Sequence, residues 1–156
     1  MSVCVKIYNK NEAEWPILYH SDGAAGFDLP AAFASPYRDV EPGRSWVFKC
    51  GIYLEIPRGY VGLVFCRSGL PFRHQVISHT GVVDSDYRGE MAVCLFNLGH
   101  QAIRVTRGDR IAQMVVVPAP QVTFQPVASQ AELSDTERGE RGFGSTGGFV
   151  GSTGVR

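Results

Sequence analysis

Residues 51–65 read GIYLEIPRGYVGLVF, and the division of this stretch decides the fold. Ile52, Leu54 and Ile56 alternate with Tyr53 and Glu55, the two-residue period of a strand covered on one face. Pro57-Arg58-Gly59 then supplies turn chemistry, after which VGLVF (61–65) resumes as an apolar, β-branched run. The same punctuation recurs at Pro42-Gly43, Asn97-Leu98-Gly99 and Arg107-Gly108-Asp109. Turns at intervals of about 8–12 residues favour many short strands. MAVCLF (91–96) and IAQMVVV (111–117) read as further strands, and with 61–65 they are predicted to be covered on both faces. Helical periodicity is scarcely visible beyond a turn after Ser68, and nothing resembles a βαβ unit. The fold class is all-β, as an antiparallel sandwich, barrel or jelly roll.

A chain of 156 residues with 44% hydrophobic content has material for one sizeable core, so one domain with a tail is expected. Its 15 basic and 15 acidic residues cancel. That excludes the global cationic field that drives non-specific binding to nucleic acid, and any phosphate site must be local. The first residues, MSVCVKIYNKNEAEW, do not lead into an apolar run, and no stretch is long and apolar enough to cross a membrane. An intracellular protein, of cytoplasm or nucleus, neither secreted nor membrane-bound, is expected. Cys4, Cys50, Cys66 and Cys94 are widely spaced, which suits reduced thiols better than a zinc site or disulfide framework.

Three segments concentrate chemistry. The tail, GERGFGSTGGFVGSTGVR (139–156), holds seven glycines in eighteen positions. Its composition fits a linker, but a glycine-rich backbone also wraps anions with its N–H groups, and Ser145, Thr146, Arg138 and Arg141 add hydroxyls and charge. Phe143, flanked by glycines, has nothing within the tail to bury against and is suited to covering a flat ring. The second segment is GVVDSDYRGE (81–90), where Asp84 follows two valines. Asp84 reads either as a general base toward water or as a turn residue bonding its own backbone. In the third, CRSGL (66–70), Arg67 and Ser68 beside a glycine suit a phosphate cradle. No nucleophile elbow surrounds Ser68, which argues against a serine hydrolase using His74 or His79.

Taken in order, AGFDL (25–29), RSGL (67–70), GVVDSDYRGE (81–90), GDRIAQMV (108–115) and RGERGFGSTG (138–147) resemble the five motifs of the trimeric deoxyuridine triphosphatases, the dUTP pyrophosphatases. The resemblance implies a distorted β-barrel or jelly-roll subunit of the β-clip kind, with a flexible carboxy-terminal arm. The domain would run over 1–127, and a connector and arm over 128–156 would close over an active site. It implies a homotrimer with sites shared between subunits. The implied reaction is hydrolysis of dUTP to dUMP and pyrophosphate, by water attacking the α-phosphorus with Mg²⁺ on the triphosphate. That activity keeps uracil out of DNA and supplies dUMP for thymidylate synthesis.

The resemblance also implies roles. Asp84 matches the base that deprotonates water, and Tyr87 the ring that packs on deoxyribose and excludes a 2′-hydroxyl. Arg67, Ser68, Gly69 and Gln113 match groups that hold the α- and β-phosphates, and Gly81 falls in the hairpin whose backbone pairs with uracil. Asp28 matches the acidic residue that holds magnesium through water, in keeping with that ion's reluctance to shed its hydration shell. In the arm, Arg138 matches a phosphate-binding arginine, Phe143 the ring stacked on uracil, and Gly144, Ser145 and Thr146 the segment around the γ-phosphate.

Some positions depart from the family pattern. Cys66 stands before Arg67 where proline, glycine or alanine is usual, and Pro71 follows Leu70, which predicts a shortened helix there. Arg141 replaces a common glycine, and 148–156 repeat the motif as Gly-Phe-Val-Gly-Ser-Thr-Gly, with Phe149 off the usual spacing. The dCTP deaminases share the fold, and a regulatory module that keeps the fold without turnover is the other alternative. Asp84 with Tyr87 and a full fifth motif favour the pyrophosphatase.

Overall fold

A computed structural model describes residues 3–141. In chain order its strands are β1 (Lys6–Asn9), β2 (Phe27–Pro30), β3 (Tyr37–Val40), β4 (Ser45–Lys49), β5 (Ile52–Glu55), β6 (Tyr60–Phe65), β7 (Val76–Ser78), β8 (Gly81–Val83), β9 (Ala92–Asn97), β10 (Ile103–Thr106) and β11 (Arg110–Pro118). One helix, α1 (Gly69–His74), lies between β6 and β7. All pairings are antiparallel and form four sheets: β1 with β5, β3 with β10, β4-β9-β7 and β2-β11-β6-β8. The class is all-β, and among the described residues the ladders stay separate, with none closing into a barrel.

The alternation in the opening stretch sets β5, where Ile52 and Leu54 are buried and Glu55 is exposed. Leu29, Phe48, Leu95, Ile111 and Met114 join them in one core. Gly26, just before β2, allows β2 and β11 to approach, since a Cβ there would lie 2.6 Å from the Met114 carbonyl oxygen. Burial also pushes the Cys50 thiol up to about 12, which makes it inert at neutral pH, and all four cysteines are free.

The expectation of cover on both faces holds for residues 111–117, where every residue is at least partly buried, and is corrected for 61–65 and 91–96. In β6, Val64 is buried while Phe65 is exposed, and in β9, Leu95 is buried while Phe96 is exposed. The outer residues are as apolar as the inner ones, so the sequence carries no alternation from which to read the covered face.

Helix α1 survives Pro71 because the proline occupies its first turn, where an N–H has no helical partner to lose. It spans six residues and stops at Gln75, whose φ of 55° is left-handed and unusual for a residue with a Cβ. Gln75→Gly is therefore expected to stabilise the protein by about 1 kcal/mol. Thermal unfolding checks this, and an unchanged or lower midpoint would mean that the Gln75 side chain compensates for its backbone.

The first compact unit ends at Gln121 and a second begins at Val122. Within the second, a 3₁₀ turn covers Gln130–Glu132, and Arg138 turns back on its own segment, donating from Nε to the Arg141 carbonyl at 2.9 Å.

Candidate active site

Pairing on both sides of β11 assembles the first cluster. Gln113 stands opposite Asp28 of β2 and Phe65 of β6. Its amide donates to the Cys66 carbonyl at 3.1 Å, which fixes the chain just before Arg67. Arg67 Nε is 2.9 Å from Asp28 Oδ1, and its Nη1 donates to the Arg110 carbonyl at 3.0 Å. Asp28, Arg67 and Gln113, predicted from three separate motifs, thus come together. Ser68 caps no backbone group with its hydroxyl, and Ser68 and Gly69 are both exposed beside this cluster.

Two members escaped the sequence reading. Arg110 Nη1 lies 3.4 Å from Asp28 Oδ2 and 2.9 Å from His20 Nε2. Arg110 lies inside the GDRIAQMV segment, which was a usable signal, whereas His20 carried none. The Asp28 side chain is 14% exposed, and its Oδ2 is buried with no hydrogen-bond donor among the described residues. Two guanidiniums share this one carboxylate, so the cluster keeps a surplus positive charge suited to an anion.

The second cluster lies along β8. Gly81 pairs with Val64, and a Cβ on it would sit 2.8 Å from His79 Nε2, so glycine is what the packed imidazole permits. His79 is itself fixed by accepting the Cys94 N–H at Nδ1, 3.1 Å away. After Val83 the chain turns, with the Tyr87 N–H donating to the Asp84 carbonyl at 3.1 Å. Arg88 Nη1 braces the turn on the carbonyls of Ser85 and Tyr87, and the Tyr87 hydroxyl donates to the Glu90 carbonyl at 3.2 Å. The turn is closed by backbone and Arg88, and neither the Asp84 nor the Asp86 carboxylate accepts a hydrogen bond from the described residues. The exposed Asp84 carboxylate is left free, lining a cavity of about 710 Å³ with Tyr60 and Arg88. The alternative reading of Asp84, a turn residue whose side chain bonds its own backbone, finds no such bond among the described residues.

The two clusters do not meet in one chain. Val83 is opposite Gly62 and Gln113 is opposite Phe65, so at about 3.3 Å per residue the strand carries them about 10 Å apart, with Arg67 beyond the strand's end. Arg138 belongs to the second unit, and Phe143, Gly144, Ser145 and Thr146 lie outside the described residues. Among the described residues, no group of three His, Cys, Asp or Glu could hold a metal ion, and no helix is long and apolar enough to cross a membrane.

A family profile described as dUTPase matches residues 13–147. A protein of Rhizobium leguminosarum bv. trifolii named deoxyuridine 5'-triphosphate nucleotidohydrolase is 50% identical over 133 residues, covering 83% of each chain. One of the same name from Rhizobium etli is 45% identical over 146 residues, covering 92% of this chain and 91% of its own. Among solved structures, the Staphylococcus bacteriophage 80alpha dUTPase with dUPNHPP superposes with a TM-score of 0.82 at 26% identity, covering 92% of this chain and 98% of that one.

Proposed function

This chain belongs to the dUTPase family, and from that premise we propose that it hydrolyses dUTP to dUMP and pyrophosphate in sites shared between the subunits of a homotrimer. One observation carries the reading: an unengaged carboxylate, Asp84, follows Val83, whose partner Gly62 lies three residues, about 10 Å, along β6 from Phe65, the partner of Gln113 in the phosphate-ready cluster of Asp28, Arg67 and Gln113. Water held by a base must reach the phosphorus that those groups hold. Reach of that kind requires Asp84 of one copy to face Arg67 of another.

The outer face of β8, β6 and β11 supports such an assembly. Register aligns Val82, Leu63 and Val115 in one row, and Val82 is 67% exposed. Gln113 and Asp28 share that face through the two-residue period, so the cluster borders the apolar surface that a second copy would cover. The segment that begins at Val122 supports it too, since Val122, Phe124 and Leu133 are all exposed.

In this mechanism the Asp84 carboxylate orients a water and takes its proton as the oxygen attacks the α-phosphorus. The bond to the bridging oxygen breaks, and pyrophosphate leaves. Arg67, Gln113, Ser68 and Gly69 hold the α- and β-phosphates, and Arg138 with Gly144, Ser145 and Thr146 closes on the distal end from the arm, residues 128–156. Phe143 stacks on the base that the Gly81 hairpin recognises. Tyr87, with its hydroxyl tied to the Glu90 carbonyl, is held against Gly89 as a wall that a 2′-hydroxyl would strike.

Magnesium fits this site as an ion carried in by the triphosphate. Asp28 Oδ2, buried without a donor, provides an acceptor for a water of the ion's hydration shell. When bound, the ion neutralises phosphate charge. The product dUMP serves thymidylate synthesis and the removal of dUTP protects DNA from uracil, which places the enzyme inside the cell.

Pyrophosphate release from dUTP, set beside UTP, dTTP and dCTP, tests the reading. Rapid release from dUTP alone is expected. Ammonia release from dCTP with dUTP untouched would assign the other chemistry of this fold.

A further inference from the structure

We propose that Glu90 is a positioning residue for sugar selection: its carboxylate, held by Lys10, Gly51 and Tyr53, fixes where the Tyr87 ring stands and so how strongly a ribonucleotide is refused. The inference rests on the reading above, in which Tyr87 is the wall beside the sugar, and adds what keeps that wall in place.

The Tyr87 ring has little of its own to hold it. Tyr87 is 46% exposed and its ring lies across Gly89, where a Cβ would come within 2.8 Å of Cε2. Glycine makes room for the ring but does not grip it. The grip is the hydrogen bond from the Tyr87 hydroxyl to the Glu90 carbonyl at 3.2 Å. Wherever residue 90 goes, the ring follows.

Residue 90 marks the boundary between a tethered segment and a self-contained turn. On its far side Met91 is sewn to the β4–β5 corner, donating its N–H to the Ile52 carbonyl at 2.8 Å and accepting the Cys50 N–H at 2.9 Å. On its near side the bonds are internal to the turn, from the Tyr87 N–H to Asp84 and from Arg88 to Ser85 and Tyr87. The Glu90 side chain bridges this boundary. Oε1 accepts the Gly51 N–H at 3.1 Å, Oε2 accepts the Tyr53 hydroxyl at 3.3 Å, and Lys10 Nζ lies 3.6 Å from Oε2. Lys10 is placed in turn, its N–H donating to the Gly51 carbonyl at 2.9 Å and its ammonium standing 5.0 Å from the centre of the Tyr53 ring. Both oxygens of a side chain only 20% exposed are thus engaged, from the end of β1, the β4–β5 turn and β5. In the same segment the Asp84 carboxylate accepts nothing from the described residues, so one acid is left free for chemistry while the other is tied down. Charge-assisted bonds of this kind lock the rotamer of the residue that supports a functional side chain.

The ratio of kcat/KM for dUTP to that for UTP, measured on the full chain, tests this. Glu90→Ala should lower that ratio by about 10-fold, the scale of a lost charge-assisted hydrogen bond, and raise KM for dUTP more than it lowers kcat. Glu90→Gln keeps an acceptor for the Gly51 N–H, and its amide can donate to the Tyr53 oxygen, so it should restore most of the preference. Tyr53→Phe removes one of the three holds and should fall between. A merely structural role would lower the melting temperature and leave the ratio alone. An unchanged ratio in Glu90→Ala, or one lost as fully in Glu90→Gln, would overturn the proposal. Should Glu90→Ala fail to fold, Tyr53→Phe decides, and an unchanged ratio there overturns it. Tyr87→Ala separates this from the reading beneath it: if that variant refuses UTP as strongly as before, Tyr87 is not the wall and both fall, whereas a ratio lost in Tyr87→Ala and kept in Glu90→Ala removes the role of Glu90 alone.

Discussion

Asp84→Asn is expected to leave a folded protein that still binds a dUTP analogue but turns dUTP over about 10²- to 10⁴-fold more slowly, the usual loss when a general base is removed. The expectation rests on what Asp84 does not do. Its backbone carbonyl, not its carboxylate, closes the turn to Tyr87, and Arg88 braces that turn on other carbonyls. An amide at this exposed position breaks no contact that holds the fold, so the melting temperature should scarcely move. Binding should persist because the phosphate-holding cluster lies elsewhere. A variant that keeps near-normal turnover would assign the base to another residue. One that loses binding along with turnover would make Asp84 a structural or substrate-holding group instead.

The second large effect is expected from the arm. Removing 138–156 deletes Arg138, Phe143 and the Gly-Ser-Thr segment, but none of the strands among the described residues, the last of which, β11, ends at Pro118. Stability and oligomer mass should therefore hold, while turnover falls by about two orders of magnitude or more through loss of a charged phosphate contact and of site closure. Ordering glycine-rich backbone costs about 1–2 kcal/mol per residue fixed, so closure is favourable only when substrate contacts offset it. A shorter cut that removes 147–156 retains Phe143 to Thr146 and should remain active. Equal loss from both cuts would transfer the stacking role to Phe149 and the second glycine run.

Much of this was legible in the residues because local rules and tertiary structure agreed. Alternation at Ile52, Leu54 and Ile56 named the buried face of β5, and the turn spacing named an all-β class. The short helix after Ser68 formed where a single turn was visible. Strands β1, β3 and β10, four residues each with only two apolar or aromatic side chains, were too short to show a pattern and are held by pairing. The outer faces of β6 and β9 were misread for the opposite reason, since residues that a partner would cover look like residues of the core.

The site divided in the same way. Asp28, Arg67 and Gln113 were named from motifs and do converge, because β2, β11 and β6 are neighbours. Arg110 and His20 were missed because their meeting depends on a register slip between Arg110 and Ala112. The separation of Asp84 from Arg67 was equally invisible, since it follows from which residue of β6 faces Val83.

That separation gives the most direct test of the account, which is a mixing experiment. Asp84→Asn and Arg67→Gln are each expected to be nearly inactive alone. Unfolded together and refolded at equal ratio, they should regain about a quarter of wild-type activity per site, the share of neighbouring pairs in a cyclic assembly that unite an intact Asp84 from one copy with an intact Arg67 from the next. Activity that stays at the level of the separate variants, in mixtures shown to have exchanged subunits, would contradict a site shared between copies and place both residues at work within a single chain.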